Sequence, residues 1–310
     1  MTFASMGSVL LIVNPIAGRR RRGLADAVVG RVRAEGWTVD VVETTAEGDA
    51  CRLAETCDES RYKVIAVAGG DGTINEVMNG LCRRSAAPPP LAIVPLGTAN
   101  VLAHELGLGF SPQSVARTMT AGRELLMWPG EANECGAGWS PPRCFSLMAG
   151  AGFDAKVVAG VTAPLKRRWG RGAYVWRSLV EAWRYRPVRY AVEVDGETQE
   201  AASVIVTRAR HYAGPYVVAP KAALDKPLLH VCLFERWGWM HALRFGAALL
   251  RGALPRTPGY RVLAGHRVRI SVTDDAGERR RQPVQIDGDD ALTLPVSIGL
   301  AARGVRVLRP

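Results

Sequence analysis

Nowhere does the chain reach the ~18 consecutive apolar residues that a membrane-spanning helix needs, so any membrane contact is expected to be peripheral. The first residues carry no charged segment, and the apolar run Val9 to Val13 is too short for a signal peptide. Six cysteines (Cys51, Cys57, Cys82, Cys135, Cys144 and Cys232) form no C-x-x-C pair and no regular framework. Reduced, mostly buried thiols of a cytosolic protein fit that pattern. The G-x-x-x-x-G-K-[ST] loop of Walker-type nucleotide binders is missing. Helix-turn-helix, RNP and zinc spacings are missing too, so nothing supports nucleic acid as a partner. There is no internal repeat and no low-complexity segment.

What is present is positive charge and ample apolar content. Forty Lys and Arg against 29 Asp and Glu leave a formal charge of +11. That balance favours anionic partners such as nucleotides or acidic lipid headgroups. At 310 residues and 48% hydrophobic content, two domains with buried cores are expected.

Up to about residue 128, short apolar runs alternate with helical periods. "SVLLIVNP", "TVDVVET", "YKVIAVAGG" and "LAIVPLGTAN" read as strands, and "GLADAVVGRVRAEG", "DACRLAETCD", "TINEVMNGL" and "SPQSVARTMTAG" as helices. Continuous β-branched runs between helices predict an α/β domain with a parallel sheet covered on both faces. From about Trp128 the segments "RYAVEVDG", "ASVIVTRAR", "LLHVCLFERW", "HRVRISVTDD", "RQPVQIDGDD" and "GVRVLRP" predict a second, mostly antiparallel β domain. The expected division is therefore 1–128 and 129–310, with "NECGAGWSPPR" as a loop near the boundary. Two helical segments interrupt the β region. One, within 169–186, spaces Ala173, Trp176, Val180 and Trp183 along a helix face; the other, within 237–251, does so with Trp239, Leu243 and Leu250. Both carry arginines, as a bilayer-facing surface would, and packing onto the β domain would give the same periodicity.

The chemistry concentrates in "VIAVAGGDGTINEVMNGL". A loop that follows a strand at the carboxyl edge of a parallel sheet is where open α/β folds bind ligands. Gly69, Gly70 and Gly72 would let backbone N–H groups approach phosphate oxygens, and the following helix would add the positive end of its dipole. Asp71 inside such a loop would repel phosphate unless a divalent ion bridges the two, so it is a candidate metal-side residue. Downstream, "VPLGTANVLAHELG" repeats the grammar: a strand, then Gly97 and Thr98, then Asn100 before a helix. Two such loops on neighbouring strands would hold one nucleotide between them. Gly150 to Ala155 ("GAGFDA") formally matches G-x-G-x-x-[GA], but no acid follows ~20 residues on. It is read as a turn whose Asp154 faces a cleft.

Taken in order, "VNPIAG" (Asn14, Pro15, Gly18), "TTAEGDA", "GGDGTINEVMNG", "PLGTAN", "GAGFDA" and "QIDGDD" make the chain resemble, over nearly its whole length, the bacterial lipid kinases that share a catalytic domain with diacylglycerol and sphingosine kinases. The resemblance implies an ATP- and magnesium-dependent enzyme with an N-terminal α/β domain, a C-terminal β-sandwich and an active site in the cleft between them. It implies ATP contacts at Asn14, Thr44, Gly69, Gly70, Asp71, Gly72, Thr73, Asn75, Glu76, Gly97 and Thr98, with Asp71 also at the metal-phosphate end. Asn100 and Asp154 would lie on the acceptor side. "QIDGDD" matches the family's Gln-x-Asp-Gly-Glu, with Asp289 in place of the glutamate, so the proton acceptor is Asp289 or Asp287. Alone, the same letters would read as an acidic hairpin turn.

Two departures stand out. Val101 replaces the Asp that many relatives carry after their "GT-x-N". Lys226-Pro227 replaces part of an Asp-Gly-x-Leu segment near a structural magnesium, where the Lys226 ammonium would stand in for the ion with Asp225 as its partner. The basic run Arg19 to Arg22 reads as a solvated face or as a contact for phosphates or acidic lipid. The expected protein is a cytoplasmic, peripherally membrane-associated lipid kinase acting on diacylglycerol or a related glycerolipid. Alternatives are a sphingoid-base kinase, an NAD kinase, or a catalytically silent lipid- or nucleotide-binding regulator. An exposed strand of the β domain would be able to pair across a homodimer.

Overall fold

The computed structural model describes residues 6–17, 22–136, 141–160, 188–236, 238–273 and 282–310. Gly18, the side chains of Arg19 to Arg22, and the stripe at 169–186 lie outside them. The chain forms two compact units: Met1–Trp128 with Ala302–Pro310, and Pro129–Ala301.

In the first unit, strands β1 (Ser8–Val13), β2 (Thr38–Glu43), β3 (Val64–Gly69) and β4 (Leu91–Pro95) alternate with helices α1 (Arg22–Ala34), α2 (Asp49–Glu55) and α3 (Asp71–Arg83). Helices α4 (Val101–Glu105) and α5 (Pro112–Ala121) and strand β5 (Arg123–Met127) follow. The sheet order is β2-β1-β3-β4-β20-β5, where β20 is the last strand, Val305–Arg309. Position in the sheet explains the burial patterns. Every residue of β3 and β4 is buried, because these central strands have helices on both faces, whereas edge strand β2 buries only Val39. Helices α1 and α5 cover one face through Val28, Val32, Val115 and Met119 against Val9, Leu11, Ala66 and Val94. Helices α2 and α3 pack against each other, burying Ala50, Ala54, Val77 and Met78.

The final strand corrects the sequence reading, which counted "GVRVLRP" with the β domain. β20 lies parallel to β4 (Val307 opposite Leu91) and antiparallel to β5 (Val305 opposite Met127). A five-residue apolar strand satisfies any buried sheet position equally well. Which sheet accepts it depends on where the chain re-enters the first unit, and periodicity carries no such information.

The second unit is a β-sandwich. One sheet has the order β10-β9-β16-β19-β6-β7, built from β10 (Glu197–Ala201), β9 (Tyr190–Val194), β16 (Val268–Val272), β19 (Val296–Leu300), β6 (Gly130–Glu134) and β7 (Arg143–Phe145). The other runs β15-β14-β11-β8-β17-β18, from β15 (Tyr260–Gly265), β14 (Leu229–Phe234), β11 (Ser203–Thr207), β8 (Met148–Ala151), β17 (Pro283–Ile286) and β18 (Asp289–Thr293). All neighbours within both sheets pair antiparallel. Phe145, Tyr190, Val192, Ile270 and Ile298 from the first sheet meet Val206, Leu229, Val231 and Val284 from the second in one core. A short ribbon, β12 (His211–Tyr212) with β13 (Tyr216–Val217), and helices α6 (Phe153–Ala159) and α7 (Trp239–Leu250) also belong to the unit.

Candidate active site

Strands β3 and β4 lie side by side, so the two glycine loops leave the same edge of the sheet as neighbours. Gly69 is paired with Pro95, and the Leu96 N–H donates to the Gly69 carbonyl at 2.9 Å. The loops touch backbone to backbone. A Cβ on Gly97 would lie 2.6 Å from the Gly70 Cα, and one on Gly70 would lie 3.2 Å from the Gly97 Cα. Here the glycines are needed for the mutual approach of the loops, in addition to any approach of a ligand. Helix α3 starts at Asp71, capped by no side chain, and its hydrogen-bond ladder begins with Ile74 N–H donating to the Gly70 carbonyl at 3.0 Å. The N–H groups of its first turn therefore precede the ladder, at the positive end of a thirteen-residue helix.

Several predicted contact residues hold this arrangement together. The Asn14 amide donates to Thr73 Oγ1 at 2.9 Å, and its Oδ1 accepts from Ile16 N–H (3.0 Å) and Ala17 N–H (3.2 Å). Asn14 thus ties the β1 turn to α3. Glu76 accepts from the Gly48 N–H at 3.0 Å, anchoring α3 to the loop that begins at Thr44. Buried Asn75 accepts from the Asn79 amide through both its carbonyl and Oδ1. Asn100 has left-handed backbone (φ 47°), donates to the Gly97 carbonyl at 2.8 Å, and keeps a buried Oδ1 with no hydrogen-bond partner. Thr98 is exposed at the loop tip, and Gly72 lies in the first turn of α3. The Asp71 Oδ1 stands 3.5 Å from the Leu102 N–H, and Val101 beside it is buried.

One supporting residue escaped the sequence reading. Asp49 Oδ2 accepts from Thr45 N–H (2.9 Å), Thr45 Oγ1 (2.6 Å) and Ala46 N–H (3.1 Å), and Arg52 donates to its Oδ1 at 3.0 Å. The Thr45 hydroxyl, together with these N–H groups and Arg52, holds the carboxyl well below the usual carboxylate range. The available signal was a threonine four residues before an acid in the first turn of a helix.

In the second unit, "GAGFDA" runs from β8 into α6. Both neighbours of β8 are antiparallel, so this is no dinucleotide-binding βαβ turn. Asp154 is buried; Tyr212 OH donates to its Oδ1, and Gln285 Nε2 donates to its Oδ2 at 2.7 Å. Burial pushes the Asp154 carboxyl up, and the two hydrogen bonds oppose that shift. Gln285 Oε1 in turn accepts from the Gly288 N–H at 2.8 Å, linking two motifs about 130 residues apart. A Cβ on Gly150 would sit 2.5 Å from Asp154 Oδ2, so glycine there makes room for the network. Tyr212 was not foreseen, because nothing near it in the chain marks it.

The two candidate bases have different surroundings. Asp287 and Gly288 (φ 47° and 89°) form the two-residue turn between β17 and β18. The Asp287 carboxylate accepts three backbone N–H groups, from Ser146 (2.7 Å), Leu147 (2.9 Å) and Met148 (2.8 Å). It pins the turn that enters β8. Asp289 begins β18 and is exposed.

The segment around Lys226-Pro227 differs from expectation. The fully buried Arg208 donates to the carbonyls of Ala223 (3.3 Å), Leu224 (2.9 Å), Lys226 (2.5 Å) and Leu228. The cation serving this loop is thus the Arg208 guanidinium, and Lys226 contributes its backbone carbonyl. Burial lowers the Arg208 pKa to about 10, partly offset by Asp225, so the group stays cationic at neutral pH. A flexible ammonium at the loop's own tip cannot reach several carbonyls of that loop at once, whereas a planar fork arriving from β11 can. Among the described residues, no group of three or more His, Cys, Asp or Glu gathers to hold a metal.

The α/β unit with its paired glycine loops and the antiparallel sandwich with its buried and exposed acids each match a known domain. Residues 8–128 match the diacylglycerol kinase catalytic domain, and residues 148–309 match the YegS C-terminal NAD kinase beta sandwich-like domain. The chain belongs to the bacterial lipid kinase family that these two domains define. It is 33% identical over 212 residues to a Chromohalobacter salexigens protein named "Probable lipid kinase YegS-like", covering 67% of this chain and 66% of that one. It is 26% identical over 305 residues to a diacylglycerol kinase of Bacillus subtilis, covering 97% and 95%. A Bacillus anthracis structure described as a diacylglycerol kinase shares the fold (TM-score 0.74, 20% identity, 98% of this chain and 97% of that one). Yeast NADH kinase does so more distantly (TM-score 0.52, 13% identity, 99% and 84%).

Proposed function

We propose that this kinase transfers the γ-phosphoryl of ATP to the hydroxyl of diacylglycerol or a related glycerolipid. The observation that carries the reading is the backbone contact of Gly70 with Gly97, which sets two glycine loops and the start of α3 at one sheet edge. In this reading the N–H groups of Gly72 and Thr73, with Thr44 and Thr98, meet the phosphates. Asn14, Asn75 and Glu76 keep the loops in place.

A magnesium ion suits Asp71 in the manner usual for kinases, with one carboxylate and the remaining shell from phosphate oxygens and water. Bound there, the ion would neutralise charge on the phosphates. Asp289 acts as general base. The acceptor oxygen forms a bond to the γ-phosphorus, the bond to the bridging oxygen of ADP breaks, and the hydroxyl proton passes to the Asp289 carboxylate. Asp287 has both oxygens committed to the backbone and serves to position its neighbour. Buried Asp154 orders the acceptor side through Gln285. Such an enzyme would work in the cytoplasm at a membrane surface, feeding phospholipid biosynthesis.

The test is transfer of labelled γ-phosphate to a mixed-micelle panel of diacylglycerol, monoacylglycerol, phosphatidylglycerol, sphingosine and ceramide, with NAD as a soluble acceptor and Asp71→Ala as control. Label in diacylglycerol that vanishes in the variant supports the reading. Label in sphingosine or NAD alone moves the acceptor assignment, and magnesium-dependent ATP binding without label anywhere favours a regulator.

A further inference from the structure

Helix α7 has two apolar faces, and only one of them is used. Phe245 and Ala248 point inward and are buried, with Phe245 edge-on to Phe234 at 5.3 Å. Trp239, Leu243 and Leu250 are 54%, 51% and 66% exposed, and Met240 beside them is 63% exposed. At 3.6 residues per turn, positions 239, 243 and 250 fall on one side of the helix, opposite Phe245 and Ala248. Packing onto the sandwich therefore accounts for the inner face and leaves the outer stripe unexplained. Solvent-facing Trp, Met and two Leu on a single helix exceed the scattered exposure expected of a soluble surface.

Charge says what covers the stripe. From Arg236 to Gly259 the chain has four arginines and His241, with no Asp or Glu. Arg244 and Arg251 follow the stripe along one flank. With Arg256, Ala247, Thr257 and Pro258 they line an open pocket of about 340 Å³. None of these three arginines forms an ion pair among the described residues. An apolar stripe bordered by unpaired arginines suits the boundary of an anionic bilayer, where Trp and Leu enter the acyl region and guanidinium groups meet headgroup phosphates. A protein partner would call for satisfied polar groups at the rim, and the one-signed, fork-like donors here match phosphate instead.

We propose that α7 is the bilayer-docking element of this protein, lying in the plane of an anionic membrane with lipid phosphate in the Arg244–Arg251–Arg256 pocket. This deepens the lipid-kinase reading by saying how the enzyme reaches a bilayer-borne acceptor. It is tested without ATP turnover, so the two fail separately.

Cosedimentation of the full chain with phosphatidylcholine vesicles, and with vesicles containing phosphatidylglycerol, reads the docking directly. Expected is binding to the anionic vesicles that weakens with salt. It should fall about 100-fold in Arg244→Gln/Arg251→Gln/Arg256→Gln, on the usual worth of a basic residue at an anionic surface. It should fall at least 10-fold in Leu243→Glu, and both variants should keep the wild-type melting temperature. The proposal is overturned if both variants bind as wild type does. It is equally overturned if neutral and anionic vesicles bind alike, or if Leu243→Glu changes only the oligomeric state by light scattering.

Discussion

The glycine loops of the first unit and the acid network of the second are assembled by opposite routes. Around Gly70, the residues that touch are close in sequence or belong to one repeated strand-loop-helix grammar, so a parallel sheet delivers them to one edge automatically. Around Asp154, the contacts come from Tyr212 and Gln285, 58 and 131 residues away, and Asp287 reaches back about 140 residues to hold the entry to β8. The lesson is that a site built on βα turns announces itself as a motif. A site built across an antiparallel sandwich shows only its anchor points.

That contrast can be broken most sharply inside "QIDGDD". Asp289→Asn removes the proposed proton acceptor at an exposed position, and kcat is expected to fall about 10³-fold with little change in melting temperature. Asp287→Ala removes an acceptor for three backbone N–H groups and places alanine at positive φ. Thermal unfolding should register a loss of about 2–4 kcal/mol, with activity following stability. If the two variants behaved alike, the division between base and anchor would be wrong.

A second long-range anchor is Arg208. Arg208→Met leaves carbonyls from Ala223 to Leu228 without their donor, and chemical denaturation should show a loss of about 3–5 kcal/mol. A stability within 1 kcal/mol of wild type would mean that water or another cation serves the loop.

On the local side of the comparison, Gly97→Ala drives a Cβ against the Gly70 backbone, which has no side chain to move aside. The expected cost is about 1–3 kcal/mol of stability and about a tenfold or greater drop in kcat/KM for ATP. Binding of the lipid acceptor should be spared.

The smallest effect concerns pH. Asp154 has its carboxyl raised above the ordinary 3.8, so its protonated form is the one the fold prefers. Its contribution is fully present below about that ordinary value and is lost as pH rises through the higher folded value. Melting temperature followed upward from pH 3.8 should therefore decline less in Asp154→Asn than in wild type. Identical profiles would show that Tyr212 and Gln285 fully compensate the burial.

Much of the first unit was legible because β-branched runs between amphipathic segments admit one arrangement, a covered parallel sheet. The neighbouring placement of the two glycine loops was legible as well, since each follows a strand of the same parallel sheet. The Asp49 support was missed because its letters are common in any helix start. Arg208 was missed because an arginine just past the end of an apolar strand gives no sign of which carbonyls it will meet. At α7 the periodicity predicted a helix with apolar spacing, and it was equally compatible with burial or exposure of the stripe.

By itself, then, the sequence determined the two-domain order and the strand-loop-helix units of the first domain, and it supplied the acids and glycines proposed here for phosphoryl transfer. These follow from local rules: period, turn chemistry and the need to bury apolar side chains. Only the tertiary structure decided that β20 returns to the first sheet, that Asp287 anchors while Asp289 stays exposed, that a guanidinium fills the 223–228 loop, and which face of α7 looks outward. Each depends on which distant backbone groups converge on a side chain, and hydrogen-bond satisfaction in a folded core is settled by three-dimensional neighbours rather than by neighbours in the chain.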